Sequence, residues 1–270
     1  MQQTKSSAQR MSYREWKIRK CLRLARNWVL FLAACAGAVA LMSTGILWLL
    51  PKAHALIAGP AAFRSPVYDG TSYEFDPSDV RLTLVNANVP LTEEPAPDLA
   101  VADDATGEQL EAEAAAAYRE MAAAAQADGI TLTLTAGWQD ADTREAAFAE
   151  ELAAYQAAHT RLSDTDAAAR AASLLPTADT SEQGTGYCAD ILSPDCTEKT
   201  AFAGTRAYEW LTAYAADYGF ILRWPEDRQS ATGMASAPWH WRYVGVENAR
   251  AIRGSGLSLE EFIALERAKL

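Results

Sequence analysis

The sequence predicts an α+β domain, a single unit over residues 78–270, behind one N-terminal transmembrane helix. Three features predict it: an uncharged 23-residue run from Trp28 to Leu50, Ala-rich stretches with helical spacing in mid-chain, and short apolar segments between Gly and Pro punctuation. Of these, the first sets the topology and the other two set the class.

Residues 1–27 hold Lys5, Arg10, Arg14, Lys17, Arg19, Lys20, Arg23 and Arg26 against Glu15 alone, a net of +7. As a helix, the run from Trp28 to Leu50 spans about 35 Å, enough to cross a bilayer with some tilt. The basic flank then leaves the N-terminus in the cytoplasm and everything after Pro51 outside. A cleaved signal peptide is the competing reading, kept open by Ala53-His54-Ala55, but the apolar run is longer than such signals use. The chain as a whole carries −11, so the remainder beyond the flank carries −18, which argues against nucleic acid or anionic polymers as partners. The expected layout is a cytoplasmic segment 1–27, a membrane helix 28–50, a Pro/Gly/Ala/Ser-rich stalk 51–77 and an extracytoplasmic domain 78–270 of a cell-membrane protein.

Within the domain, Val80–Val85 reads as a strand and Glu93–Asp104 as a solvated loop. Thr106-x-x-Gln109 reads as a capping box opening a helix through Leu110, Ala114, Ala117, Met121 and Ala124, which Asp128-Gly129 ends. Ile130–Thr135 alternates like a half-buried strand. Thr143–Ala158, Asp164–Leu174 and Phe202–Asp217 read as helices, the last closed by Gly219. Ser258-x-x-Glu261 is a capping box that opens a final helix through Ala268. Cys21 and Cys35 fall at the membrane segment, whereas Cys188 and Cys196 lie in the exported part and are expected to form a disulfide.

Three segments carry a more specific pattern: Trp210-Leu211, Tyr218-Gly219-Phe220-Ile221-Leu222-Arg223-Trp224-Pro225, and Pro238-Trp239-His240-Trp241-Arg242-Tyr243-Val244-Gly245. They resemble the signature of the VanY-type zinc D-alanyl-D-alanine carboxypeptidases, which trim the terminal D-alanine from cell-wall peptides. Val85-Asn86-Ala87-Asn88-Val89-Pro90-Leu91 is similar to the opening of that domain, so the resemblance runs from about Val80 to Phe262.

The resemblance implies a D-Ala-D-Ala carboxypeptidase-like fold and places the site. In Ser181-Glu182-Gln183-Gly184-Thr185-Gly186-Tyr187-Cys188-Ala189-Asp190, Asp190 stands at one zinc-ligand position and Gln183 where the family has histidine. His240 stands at the third ligand position, and Ala237 occupies the place of the catalytic glutamate. Gln139 replaces the arginine that holds the peptide's terminal carboxylate, with Arg144 one helical turn on as a substitute cation. Ser181 and Trp239 complete the expected peptide-binding positions, while Glu182 is expected to be structural. Taken without the family, His240 between two tryptophans reads as a hydrogen-bonded, partly buried side chain and Asp190 as a turn cap. His54 falls in the stalk and His159 at a helix end, so neither replaces the missing ligand by sequence.

One imidazole, one carboxylate and a neutral amide make a weak zinc set, and Ala237 cannot move a proton. The expectation is therefore a membrane-anchored, non-hydrolytic family member that binds peptidoglycan stem peptides or similar short peptides, with no cofactor, or with zinc if the site functions. The competing expectations are an active metallo D,D-carboxypeptidase with a remodelled site, and a structural envelope interaction module. No Gly-x-Ser-x-Gly elbow, P-loop or Gly-x-Gly-x-x-Gly segment supports another chemistry.

Overall fold

In the computed structural model, Leu22, Asn27, Phe63, residues 73–172 and residues 176–270 are described. The expected membrane helix lies outside them; among the described residues no helix is long and apolar enough to cross a membrane. Phe63–Leu270 forms one compact unit.

Two strands, β1 (Leu99–Val101) and β2 (Gln109–Glu111), pair antiparallel as a small ribbon. The predicted loop 93–104 thus contains a strand, and the predicted capping box at Thr106 lies in that ribbon instead. Helix α1 (Ala112–Ala127) starts three residues after Gln109, capped by the Glu111 carboxylate, which accepts from the Glu113 and Ala114 amides. Alanine is the strongest helix former and its small side chain permits close packing. Ala114, Ala115, Tyr118, Met121 and Ala125 are accordingly the buried face of α1, and the helix ends before Gly129 at φ 75°. Val80–Leu82 is a 3-10 turn rather than the predicted strand: the Asp79 carboxylate caps it by accepting from Arg81 N, a local bond that competes with extended structure.

The main sheet has order β3-β4-β6-β5, all antiparallel: β3 Thr133–Ala136, β4 Cys188–Leu192, β6 His240–Tyr243 and β5 Phe220–Leu222. Alternate residues of a strand face opposite sides. Ala189, Ile191, Trp241 and Tyr243 therefore join α1 and helix α4 (Arg206–Tyr214), through Trp210 and Leu211, in the main core. The other face carries Cys188, Asp190, His240 and Arg242. At its β5 end, Ile221 packs with helices α5 (Val246–Ser255) and α6 (Leu259–Arg267) in a second cluster, against which Tyr73 and Phe75 also lie. The capping box at Ser258 and Glu261 is present in full.

Helix α2 (Ala141–Ala158) pairs with α3 (Asp164–Ala172) and has one buried residue, Arg144. Asp140 is its N-cap, accepting from Thr143 N at 2.8 Å. Ahead of it, Gly137 permits a close crossing, since a Cβ there would fall 2.2 Å from the Gln109 carbonyl oxygen. The neighbouring Trp138 amide donates to that oxygen at 2.7 Å.

Candidate functional site

The register of β4 against β6 builds the site. Asp190 stands directly opposite His240, and Cys188 opposite Arg242, so four functional side chains share one sheet face with Cβ atoms about 5 Å apart across each pair. His240 Nδ1 meets Asp190 Oδ1 at 2.7 Å. Because an ionised carboxylate only accepts, Nδ1 is the ring nitrogen that carries the hydrogen. Burial opposes charge on Asp190, but the His240 hydrogen bond and the Lys199 ammonium outweigh it and hold the carboxyl below the usual range. Lys199 Nζ donates to Asp190 Oδ2 at 3.0 Å and lies 5.5 Å from the Trp239 ring centroid. The Trp224 ring stacks on the imidazole at 4.2 Å and 13°. His240 Nε2 is buried without a hydrogen-bond partner.

Beside this cluster lies a closed ion network. Arg223 Nε donates to both Glu182 oxygens at 2.8 and 3.0 Å, and its terminal nitrogens grip Glu260 at 2.9 and 2.6 Å. Arg242 Nη1 lies 3.0 Å from Glu182 Oε1 as an ion pair without hydrogen-bond alignment, and its Nη2 donates to the Arg81 and Thr83 carbonyls. Burial raises the Glu182 pKa, yet the two guanidiniums overcome it and bring the group down to about 2. Burial and then the Glu182 charge push the Cys188 thiol well up; its Sγ donates to Glu182 Oε2 at 3.4 Å.

A cavity of about 210 Å³ opens over the Asp190 cluster. Of the residues singled out by sequence, Ser181, Gln183, Asp190, Ala237, Trp239 and His240 line it. Gln139 and Arg144 do not. Gln139 donates its backbone amide to the Gln183 carbonyl at 3.3 Å. Arg144, placed among the substrate-binding positions by sequence, is 3% exposed; Glu94 holds it at 3.0 and 2.8 Å, and it also donates to the carbonyls of Ala178 and Gln139. Its guanidinium anchors α2 and has little capacity left for a ligand. The expected disulfide is also absent: Cys188 and Cys196 are free thiols. The reason is the strand itself, because β4 carries the chain about 13 Å from Cys188 to Leu192 before the Ser193–Cys196 turn, and a disulfide needs Cα atoms within about 7 Å.

Sequence reasoning missed Lys199, Trp224 and Glu151, which also line the cavity. Trp224 lay in the quoted Arg223-Trp224-Pro225 segment, so its proximity had a signal. Lys199 had none, since it reaches Asp190 from a 3-10 turn over Lys199–Gly204, outside every motif. His159 sits away from the site, exposed and stacked on Tyr155 at 4.1 Å.

The fold and the site together present an Asp–His pair and a Pro-Trp-His segment of a small antiparallel sheet to one cavity. The chain belongs to the D-alanyl-D-alanine carboxypeptidase (VanY) family, whose model matches residues 107–246, just over half of it. A D-alanyl-D-alanine carboxypeptidase of Enterococcus faecalis is 30% identical over 192 residues, 71% of this chain and 69% of the relative. A carboxypeptidase of Bacillus subtilis described as putative, YodJ, is 32% identical over 152 residues, 56% and 52% of the two chains. Among solved structures, VanYB in complex with D-alanine-D-alanine has a TM-score of 0.61 at 29% identity, covering 68% of this chain and 97% of that one. A vancomycin-resistance D,D-pentapeptidase VanY solved with Zn(II) matches at the same TM-score of 0.61 and 30% identity, over 68% and 98%.

The residues present do not fit a zinc ion of that kind. Of the three ligand positions only His240 and Asp190 offer good zinc donors, and Lys199 already pairs with one Asp190 oxygen at 3.0 Å. Gln183 offers a neutral amide. A second trio, Glu182, Cys188 and His240, brings possible donor atoms within 4.8 Å of one another. It fits no better, because two guanidiniums already neutralise Glu182 and the Cys188 thiol is held protonated.

Proposed function

We propose that this chain is a membrane-anchored family member that binds short cell-wall-type peptides through its carboxyl-terminal end without hydrolysing them. The observation that carries this reading is Ala237 on the cavity wall beside His240, a side chain with no proton to give or take, with the neutral amide of Gln183 at the remaining ligand position. A base within reach of the attacking water contributes about 10²- to 10⁴-fold, and nothing at position 237 replaces it. The relatives solved with D-alanine-D-alanine and with Zn(II) supply the peptide class and the chemistry that this site has lost. The arrangement we propose is a cytoplasmic segment 1–27, a membrane helix 28–50, a stalk 51–77 and an exported domain 78–270, on the charge and hydropathy pattern.

An active metallo-carboxypeptidase with a remodelled site is the second reading, and the Glu151 carboxylate on the cavity wall favours it. The two separate on metal content and D-alanine release. Protein purified without chelator is expected to retain no stoichiometric zinc and to release no D-alanine from a D-alanyl-D-alanine-terminated peptide. Ala237→Glu alone is expected to stay inactive, because ligand, base and carboxylate clamp act as a unit. Gln183→His with Ala237→Glu and Gln139→Arg is expected to gain measurable zinc-dependent release. Robust, chelator-sensitive release by the unmodified protein would return the chain to the active carboxypeptidases.

A further inference from the structure

We infer that Lys199 is the resident cation of this site, taking over the charge that the family's site draws from a metal, and that its ammonium binds the terminal carboxylate of the peptide directly. This deepens the non-hydrolytic peptide-binding reading and rests on it.

The Asp190 carboxylate is a ligand position of the family, and both its oxygens are engaged here, Oδ1 by His240 and Oδ2 by Lys199. A positive charge of the chain's own therefore sits against this carboxylate. The Lys199 side chain is half exposed and spends one of its three N–H donors on Asp190, so the other two are open to the cavity. The Trp239 face fixes the approach of the ammonium at 5.5 Å. Neither position through which the resemblance suggested carboxylate capture serves it here. The motif position holds Gln139, and Arg144 is consumed by Glu94 and two carbonyls. Among the described residues Lys199 is the one Lys or Arg that lines the cavity.

A second observation points to the rest of the ligand. His240 is 4% exposed, lines the same cavity, and leaves Nε2 without a partner. Nδ1 is engaged by Asp190, so Nε2 is the ring atom left over, and a buried polar atom without a partner is costly unless a ligand or water meets it. Lys199 and His240 flank one carboxylate, so a carboxylate and an adjacent amide N–H on the ligand meet both. A peptide C-terminus carries that pair on its last residue.

The test titrates N-acetyl-D-alanyl-D-alanine, and separately its C-terminal amide, into the full-length protein in mild detergent with excess chelator, read by calorimetry. The free acid is expected to bind at least about tenfold more tightly than the amide, the scale of a hydrogen bond to a charged group. Lys199→Met is expected to bring the acid down to the amide's affinity and leave the amide's unchanged, and Lys199→Arg to keep the preference. If Lys199→Met fails to fold, Lys199→Met with Asp190→Asn removes both charges together and is expected to lose the preference in the same way. Equal binding of acid and amide by the unmodified protein, a preference that survives Lys199→Met or the double variant, or binding that appears only with added zinc would overturn the inference while peptide binding itself stands. Failure of the unmodified protein to bind either peptide, with and without zinc, would overturn both readings.

Discussion

Two charge clusters share one face of the β4–β6 pair and differ in how completely they are closed. In the Glu182–Arg223–Arg242–Glu260 network, Glu182 and both arginines are fully buried, and Arg223 is paired on both sides. In the Asp190–His240–Lys199 cluster the acid and the imidazole are buried too, yet the cation is half in solvent and a cavity opens over the pair. A closed network holds elements together: Arg223 follows β5, Arg242 is in β6, Glu182 is in the turn before β4 and Glu260 opens α6. An open cluster leaves valences to a ligand. The buried framework thus sits beneath a cluster that reaches solvent.

Three measurements break or sharpen that contrast. The largest effect is expected from Glu182→Ala, which leaves the buried Arg242 without a carboxylate and Arg223 with Glu260 alone, and should cost about 3–5 kcal/mol in chemical denaturation. A loss below about 1 kcal/mol would mean that water reaches the network and that it is not closed. Next is acid. Glu182 has its pKa depressed from 4.5 to about 2, so its contribution is complete above about pH 4.5 and is lost as pH falls toward 2. Asp190, also depressed from its ordinary 3.8, loses its contribution in the same direction. Melting temperature should therefore drop steeply below pH 4.5, and Glu182→Gln should flatten that part of the profile; an unchanged slope would remove Glu182 as its source. The smallest effect is expected from Lys199→Met on stability. A half-exposed ion pair contributes no more than about 1 kcal/mol, so this variant should melt within a few degrees of the unmodified protein. A large loss would make Lys199 part of the framework rather than of the open cluster.

Much of the framework was legible in the sequence. Ser258 and Glu261 cap α6 as their spacing predicts, because a capping box is a local arrangement of four residues. The Pro238–Val244 and Ser181–Asp190 segments lie side by side at the site, and six of the eight positions picked out by the resemblance line one cavity. The failures were also physical. Val80–Leu82 turned because Asp79 caps it locally, and α1 began later because residues 109–111 found a strand partner in β1.

What the sequence determined by itself was the α+β class and the family, since these depend on residue identity at fixed spacing. Tertiary structure alone decided three further things. Arg144 became an anchor because Glu94, 50 residues away, reaches it first. Cys188 and Cys196 stayed apart because an extended strand separates them more than a disulfide can span. Lys199 entered the site because a 3-10 turn lays it against Asp190, and no pattern of spacing along a chain encodes which distant side chain will meet a carboxylate whose metal partners have changed.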